Sequence, residues 1–305
     1  MLLTMINQNT KSAFISIVGK PNVGKSSLIN KLLGEKIAIV TNKPQTTRTR
    51  ITGVLTKGLT QFVFIDTPGF HKPKTKLSNS MIKAVTTSIK DVDAVMMLVE
   101  PTGKLTEAEV NLIGSIKKEG NPSILIINKI DLIANKEVLI KRINDISTIH
   151  QFDVIIPISV LNNDGIDLVF NELDKYAAEG VHFFPDDTLT DQPERVLVAE
   201  IIREKILLNL HQEIPHGTAV VIEKMRERDD KELIDIDAMI YCEKTSHKGM
   251  IIGKNGAVLK RIASSARLEI EEFLGVKINL QCWIKVRDDW RNKEGMIRNF
   301  GLSEK

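Results

Sequence analysis

The apolar and polar positions of the first 180 residues predict buried strands that alternate with helices. Four apolar, β-branched runs have the length and composition of strands buried on both faces: 13–18, 94–99, 123–127 and 154–158. Apolar residues recur at helical spacing in the segments between and after them: 27–33, 77–90, 106–118, 136–148 and 165–178. Extended runs at 51–55 and 61–65 predict a hairpin at the sheet edge, and 36–40 predicts either a short strand or a strand-like approach to the next loop. The pattern predicts an α/β domain with a mostly parallel sheet and helices on both faces.

After residue 195 the pattern changes to that of a smaller α+β domain. Its predicted elements are a helix to about 210, strands at 218–226 and 233–242, helices on either side of a glycine turn near 253, and a strand at 277–286. The polar, proline-containing stretch 184–193 separates the two patterns and predicts a linker. The predicted organisation is a domain at 1–180, a linker at 181–194 and a domain at 195–305.

The amino-acid composition gives only limited information about the cellular compartment and the binding partners of the protein. The length of 305 residues agrees with about two domains, and a net charge of +3 indicates no nucleic-acid partner without a local basic patch. The two cysteines, Cys242 and Cys282, have no metal-binding spacing and are too few for a disulfide scaffold. No apolar run reaches the ~20 residues of a membrane span, and residues 1–10 lack the features of a secretory signal. We therefore expect a cytoplasmic protein with reduced thiols.

One stretch between a predicted strand and a predicted helix has the form of a phosphate-binding loop. Residues 19–26 read GKPNVGKS and match the pattern G-x-x-x-x-G-K-[ST]. In such a loop the backbone N–H groups and the helix N-terminus favour an anion. Lys25 would reach the β- and γ-phosphates, and Ser26 would bind Mg²⁺. The alternative, a glycine turn with an incidental lysine, leaves the flanking strand and helix unexplained.

A second motif follows about 40 residues later, at the end of a predicted strand. Residues 66–69 read DTPG, and Asp66 lies where open α/β sheets place ligand contacts. Alone, this tetrapeptide could be an ordinary turn. After a phosphate loop, it predicts that Asp66 holds Mg²⁺ through water and that the Gly69 N–H meets a γ-phosphate.

The third motif, NKID at 128–131, predicts recognition of guanine. Guanine presents N1–H and N2–H₂ side by side, and the Asp131 carboxylate can accept both, whereas adenine lacks that pair of donors. A mismatched base would leave Asp131 unpaired, which disfavours an ATPase. Asn128 and Lys129 would brace the base and the loop. Ser159, Val160 and Leu161 follow the next strand, where the last base-contacting loop belongs.

Together these motifs resemble those of the Era family of GTPases. The matching segments are Lys20-Pro21-Asn22, Gln45-Thr46-Thr47-Arg48, Asp66-Thr67-Pro68-Gly69, Asn128-Lys129-Ile130-Asp131 and Ser159-Val160. The chain departs from the family at Val160, where alanine is usual. The Val160 backbone N–H would still reach the guanine O6, but its added methyl groups would crowd the base.

The resemblance implies switch I at 41–50, switch II at 66–80 and a GTP site assembled from all of these segments. The implied GTP-binding residues are Gly19, Asn22, Val23, Gly24, Lys25, Ser26, Ser27, Thr47, Asp66, Gly69, Asn128, Lys129, Asp131, Ser159, Val160 and Leu161. Catalytic roles are implied for Lys25, Thr47, Asp66 and Gly69, and Mg²⁺ ligation for Ser26, Thr47 and Asp66. Alignment to the family's switch favours Thr47 over Thr46 as the Mg²⁺ ligand. Asn22 has the position of a potassium ligand in related switch proteins, so K⁺ is a possible second ion beside Mg²⁺.

The second domain resembles a type II KH fold, whose G-x-x-G loop clamps about four nucleotides of RNA. The loop here is IIGKNG at 251–256, and the basic residues of 244–267 have no acidic residue among them. A plain helix–helix turn is the alternative for a G-x-x-G sequence alone. The predicted RNA-binding residues are Lys248, Ile251, Ile252, Gly253, Lys254, Asn255, Gly256, Lys260 and Arg261.

The family resemblance implies a function that residue patterns alone do not specify. It implies binding to the 3′ end of 16S ribosomal RNA and assistance in processing and assembly of the 30S subunit, by a monomer, with peripheral membrane association left open. Phe70 stands where many GTPases have a glutamine that orients the attacking water, so slow intrinsic hydrolysis is expected. The alternative function is a nucleotide-regulated RNA-binding module with negligible useful hydrolysis.

Overall fold

The computed structural model describes residues 9–43, 46–70 and 75–302, which divide into two compact units. The first unit contains 9–38, 47–70 and 81–191, and the second contains 39–43, 46, 75–80 and 192–302. The predicted residues Pro44 and Gln45 and positions 71–74 of switch II lie outside the described residues. The boundaries at 180 and 194 stay predictions.

A seven-stranded sheet forms the centre of the first unit. Its strands are β1 Lys11–Gly19, β2 Ile51–Lys57, β3 Thr60–Asp66, β4 Ala94–Val99, β5 Ser123–Ile127, β6 Val154–Pro157 and β7 Ala178–Glu179. They lie in the order β2-β3-β1-β4-β5-β6, with β2 antiparallel to β3 and the short β7 antiparallel to the start of β1. The other pairs are parallel, so β1, β3, β4, β5 and β6 end at one edge.

Helices cover both faces of this sheet, as the continuous apolar strands predict. They are α1 Lys25–Leu33, α2 Lys76–Ser88, α3 Glu107–Glu119, α4 Lys136–Ser147 and α5 Ile166–Leu173. Along β4, Met96 and Leu98 belong to the core that includes Leu28 and Val169, whereas Val95 and Met97 belong to the core on the opposite face. Because successive side chains of a strand point to opposite faces, a strand buried on both sides must be apolar throughout.

The second unit has the predicted order of helix, two strands, two helices and a strand. Its elements are α6 Glu194–Asn209, β8 Ala219–Arg228, β9 Lys231–Cys242, α7 Thr245–Ile252, α8 Ala257–Leu274, β10 Lys277–Val286 and α9 Glu294–Asn299. The central strand β9 is antiparallel to β8 and parallel to β10. Alternating apolar residues of β9, such as Ile236 and Ile240, pack with Ile202 of α6 and Ile262 of α8.

Of the two alternatives for 36–40, the strand does not form. All five residues are described and none is in a strand, because the side chain of Asn30 satisfies the backbone instead. Its Oδ1 accepts from the N–H groups of Ile37 at 3.1 Å and Ala38 at 3.0 Å, and its Nδ2 donates to the Ala38 carbonyl at 2.7 Å. The helix predicted to reach 178 ends at Leu173 and continues as a 3₁₀ turn, Asp174–Tyr176, before β7 begins at Ala178.

Two further expectations concern the thiols and the membrane. Cys242 and Cys282 are both free thiols, and burial raises the pKa of each, that of Cys282 to about 11. Within the described ranges, none of the helices is both long and apolar enough to cross a membrane.

Candidate functional site

The phosphate loop joins β1 to α1 at the edge where the parallel strands end. Gly19 and Gly24 have φ angles of 148° and 101°. A Cβ at Gly19 would lie 2.5 Å from the Leu98 carbonyl oxygen, and one at Gly24 would lie 2.2 Å from Asn128 Nδ2. Both positions therefore need glycine, for backbone conformation and for space.

Lys25 is buried at the centre of this loop. Its Nζ donates to the carbonyls of Gly19 at 3.2 Å and Lys20 at 3.1 Å. Burial lowers the pKa of Lys25 to about 8, although the charge of Asp66 opposes the shift. A buried ammonium at a helix N-terminus suits an anionic ligand such as a phosphate.

Three oxygen-bearing side chains meet beside Lys25. Ser26 Oγ donates to Asp66 Oδ2 at 2.8 Å and lies 2.9 Å from Thr47 Oγ1. Asp66 is fully buried, and burial raises its pKa despite the nearby Lys25 charge and hydrogen bonds. Its Oδ1 has no hydrogen-bond partner among the described residues. A buried carboxylate oxygen beside two hydroxyls fits a hard cation such as Mg²⁺.

The neighbouring Thr46 makes different contacts. Its hydroxyl donates to the Lys43 carbonyl at 2.6 Å and lies 2.7 Å from Thr41 Oγ1. Of the two threonines considered from the sequence, Thr47 is therefore the one that lies with Ser26.

The segment after Asp66 packs directly on the phosphate loop. A Cβ at Gly69 would lie 2.7 Å from atoms of Pro21, so only glycine allows this approach. The Phe70 N–H donates to the Gly19 carbonyl at 3.0 Å, and its ring packs against the core. This geometry places the Gly69 backbone next to the loop and uses Phe70 for packing.

The predicted base-reading residues come together from two loops. Asn128 donates through Nδ2 to the Val23 carbonyl at 2.8 Å and accepts at Oδ1 from the Val160 N–H at 3.1 Å. Ser159 Oγ donates to Asp131 Oδ1 at 2.5 Å. Leu161 is 84% exposed, at the open side of this loop. Asn128 thus ties both base loops to the phosphate loop.

Glu100 is a residue of this site that the sequence motifs miss. It directly follows β4, and its carboxylate contacts Lys20 at 3.0 Å and Lys129 at 2.7 Å. Burial opposes ionisation of Glu100, but the hydrogen bonds from Lys129 and Lys20 outweigh it and lower the pKa. The only sequence signal is an acidic residue at the carboxyl end of an apolar strand.

In the second unit, the predicted RNA loop connects α7 to α8. Gly253 and Gly256 have φ angles of 72° and 77°, and Asn255 has a φ of 52°. A Cβ at Gly253 would lie 2.4 Å from Val258 Cγ2. Ile251 is buried and Ile252 is half-buried, whereas four polar residues of the predicted site are exposed: Lys254, Asn255, Lys260 and Arg261. The loop therefore presents backbone and positive charge to solvent.

Helix α6 also holds residues in and directly before the predicted switch I, which the sequence did not indicate. The Val40 N–H donates to Glu204 Oε1 at 2.9 Å. Lys43 Nζ donates to the carbonyls of Leu207 and Leu210 at the end of α6, and Arg203 donates to the Thr46 carbonyl. Arg203 and Glu204 are each only 2% exposed. We call these contacts the α6 latch.

Comparison with known proteins identifies the family. Residues 14–129 match a family model described as 50S ribosome-binding GTPase, and residues 213–291 match one described as KH domain. GTPase Era of Ruminiclostridium cellulolyticum is 52% identical over 291 residues, which cover 95% of this chain and 97% of that protein. The chain belongs to the Era family of GTPases. Era of Clostridioides difficile is 50% identical over 97% of this chain and 99% of its own.

Solved structures of Era have the same fold. A crystal structure of Era in complex with MgGDPNP and nucleotides 1506–1542 of 16S ribosomal RNA has a TM-score of 0.93 at 36% identity, covering 97% of this chain and 100% of that chain. A variant of Aquifex aeolicus Era bound to GDP·AlF₄⁻ has a TM-score of 0.92 at 37% identity, with the same coverage. The family, the fold class and the assignment as a GTPase are confirmed.

Proposed function

We propose that this Era-family chain is a GTP-driven switch that binds the 3′ end of 16S ribosomal RNA and assists processing and assembly of the 30S subunit. The observation that carries the proposal is the convergence of Lys25, Ser26, Thr47 and Asp66 at the carboxyl edge of the sheet, next to the base loop of Asp131. The RNA part is supported by the glycine loop of the second unit and by the Era structure that contains 16S nucleotides.

In this proposal each group acts on a defined part of GTP. Lys25 and the Gly69 N–H bind the β- and γ-phosphates, and the Asp131 carboxylate accepts from guanine N1–H and N2–H₂. Ser26 and Thr47 hold Mg²⁺ directly, and Asp66 holds it through water. When bound, the ion neutralises charge on the phosphates. The Mg²⁺ assignment is supported by Asp66 Oδ1, which is buried and has no partner within the part of the chain that the structure describes.

Slow hydrolysis is part of the proposal, because the Phe70 side chain packs against the core and has no polar group that could orient water. This observation also favours the second candidate function, an RNA-binding module whose nucleotide acts mainly as a bound ligand. Single-turnover GTP hydrolysis with and without RNA separates the two, since only a switch should be accelerated by its partner.

We further propose K⁺ as a second ion, held at Asn22 in the phosphate loop. A cation there would add positive charge where it develops in the transition state. Hydrolysis is expected to be faster in K⁺ than in Na⁺ at equal ionic strength, and equal rates would contradict this role.

The nucleotide proposal is tested by competition for a fluorescent GDP analogue. GTP and GDP should displace it, whereas ATP should not.

The RNA proposal is tested by crosslinking in the GTP and GDP states and sequencing the bound RNA, which should map to the 3′ end of 16S RNA. Action as a monomer, a cytoplasmic location and peripheral membrane association stay predictions.

A further inference from the structure

Glu100 joins the two loops that are proposed to hold the nucleotide. Its Oε1 accepts from Lys129 Nζ at 2.7 Å, and its Oε2 lies 3.0 Å from Lys20 Nζ. The same Lys129 Nζ donates to the Asn22 carbonyl at 2.7 Å. Lys129 belongs to the base loop, whereas Lys20 and Asn22 belong to the phosphate loop. One carboxylate therefore contacts a cation from each loop.

The backbone of Glu100 is itself fixed by a buried arginine. Arg142 of α4 donates through Nε to the Glu100 carbonyl at 3.1 Å and through Nη1 to the Gly103 carbonyl at 3.0 Å. Its Nη2 pairs with Glu109 at 3.1 Å, and the two side chains are 3% and 1% exposed. Glu109 also closes the capping box of α3 with Thr106. These contacts anchor Glu100 to α3 and α4, so its carboxylate has a defined place.

We propose that Glu100 is a positioning residue for guanine-nucleotide binding, which acts by holding the Lys129 side chain in place before the ligand arrives. This inference rests on the proposed function of the same site. A free lysine loses much rotamer freedom when it is immobilised, and the carboxylate removes that freedom in advance. Lys129 has a φ of 70°, a conformation rare for non-glycine residues. The contact with Glu100 gives this backbone an additional support.

Glu100 is expected to affect nucleotide binding and not the hydrolytic step. The contacts of the Glu100 carboxylate are with Lys20 and Lys129, away from the Ser26–Thr47–Asp66 group, so its loss should weaken binding and leave the hydrolytic step unchanged. Hydrogen bonds between charged groups are stronger than those between neutral groups. Replacing the Glu100 carboxylate by a neutral amide should therefore weaken nucleotide affinity roughly tenfold. We expect Glu100→Gln to release GDP roughly tenfold faster and to raise KM for GTP similarly, with kcat within about twofold of wild type.

The matched control is Glu119→Gln, at an exposed position at the end of α3. The decisive measurement is a double-mutant cycle in stopped-flow GDP release, with Glu100→Gln made in wild-type and Lys129→Ala backgrounds. If Glu100 acts through Lys129, its roughly tenfold effect should shrink to less than about threefold in the second background. Should Glu100→Gln unfold at assay temperature, Glu100→Asp keeps the charge on a shorter chain and should show a smaller effect in the same direction.

Three results would overturn the inference. They are a full effect of Glu100→Gln in the Lys129→Ala background, a lowered kcat with unchanged KM, and release rates of Glu100→Gln equal to those of Glu119→Gln. Failure of the proposed function would be visible separately, because the wild-type chain would then show no preference for GDP over ADP.

Discussion

The α6 latch predicts a route by which nucleotide state reaches the RNA-binding unit. Thr46 and Thr47 are adjacent in the chain, yet the Thr46 carbonyl accepts from Arg203 of α6 and the Thr47 hydroxyl lies with Ser26 of the phosphate loop. If GTP fixes Thr47 through Mg²⁺, the peptide bond between the two threonines transmits that constraint to residues held by α6. Nucleotide and RNA affinities would then be linked.

The variant that tests this linkage most cleanly is Lys43→Met. It keeps much of the length of the side chain but removes the ammonium that donates to Leu207 and Leu210 at the end of α6. A hydrogen bond from a charged group contributes roughly 1.5–3 kcal/mol, and a cation at a helix C-terminus about 0.3–1 kcal/mol more. These contacts can therefore support a coupling of at most roughly 10³-fold, since 1.4 kcal/mol corresponds to about tenfold.

The assay is RNA binding by filter titration in the presence of GDPNP or GDP. Wild-type protein should bind RNA more tightly in one nucleotide state, and the ratio of the two affinities measures the coupling. Lys43→Met should bring this ratio to within about threefold of one and leave nucleotide affinity nearly unchanged. Lys31→Met, at an exposed position of α1, is the control. A wild-type ratio preserved in Lys43→Met would refute the role of the latch, and a wild-type ratio of one would refute coupling altogether.

Three other predictions address separate parts of the chain. Asp131→Asn should lose about 3 kcal/mol of GTP binding and admit xanthine nucleotides, and unchanged base preference in a competition assay would exclude this role. The pair Lys254→Asp and Asn255→Asp should lower RNA affinity about 10²-fold without affecting GTP, so RNA affinity close to that of wild type would remove the loop from the RNA site. The hydrogen bond to Asp186 raises the pKa of His182, so its stabilisation should be present at low pH and disappear as pH rises through that pKa. Asp186→Asn should lower the His182 pKa in an NMR titration, and should lower the melting temperature at about pH 6 but not at about pH 8.5.

Most of the strands and helices, and the residues that come together around Lys25 and Asp66, could be predicted because the relevant signals are local. The strands are continuous apolar runs, and Lys25 and Asp66 belong to short motifs with fixed spacing. The strand considered for 36–40 does not form because of a contact that is not local. Its residues are mostly apolar and β-branched, as in a strand, but the side chain of Asn30, which lies on α1, forms hydrogen bonds with their backbone groups. A single polar side chain thus overrides a local preference that is correct on average.

The contacts that the sequence did not indicate share one property, which is that the two partners are distant in the chain. Glu100 pairs with Lys20 and Lys129, and Arg203 bonds a carbonyl 157 positions away. No short pattern contains both members of such a pair, so only the fold brings them together. The buried charge of Arg203 is paired locally, with Glu200 three residues earlier on α6, and its guanidinium also donates to the distant Thr46 carbonyl. Glu100 is only partly buried, and its two lysines belong to two separate motifs. In both cases a charged side chain links segments that are proposed to respond to the nucleotide. We therefore expect substitution of either residue to change the coupling between motifs more than the folding of any one motif.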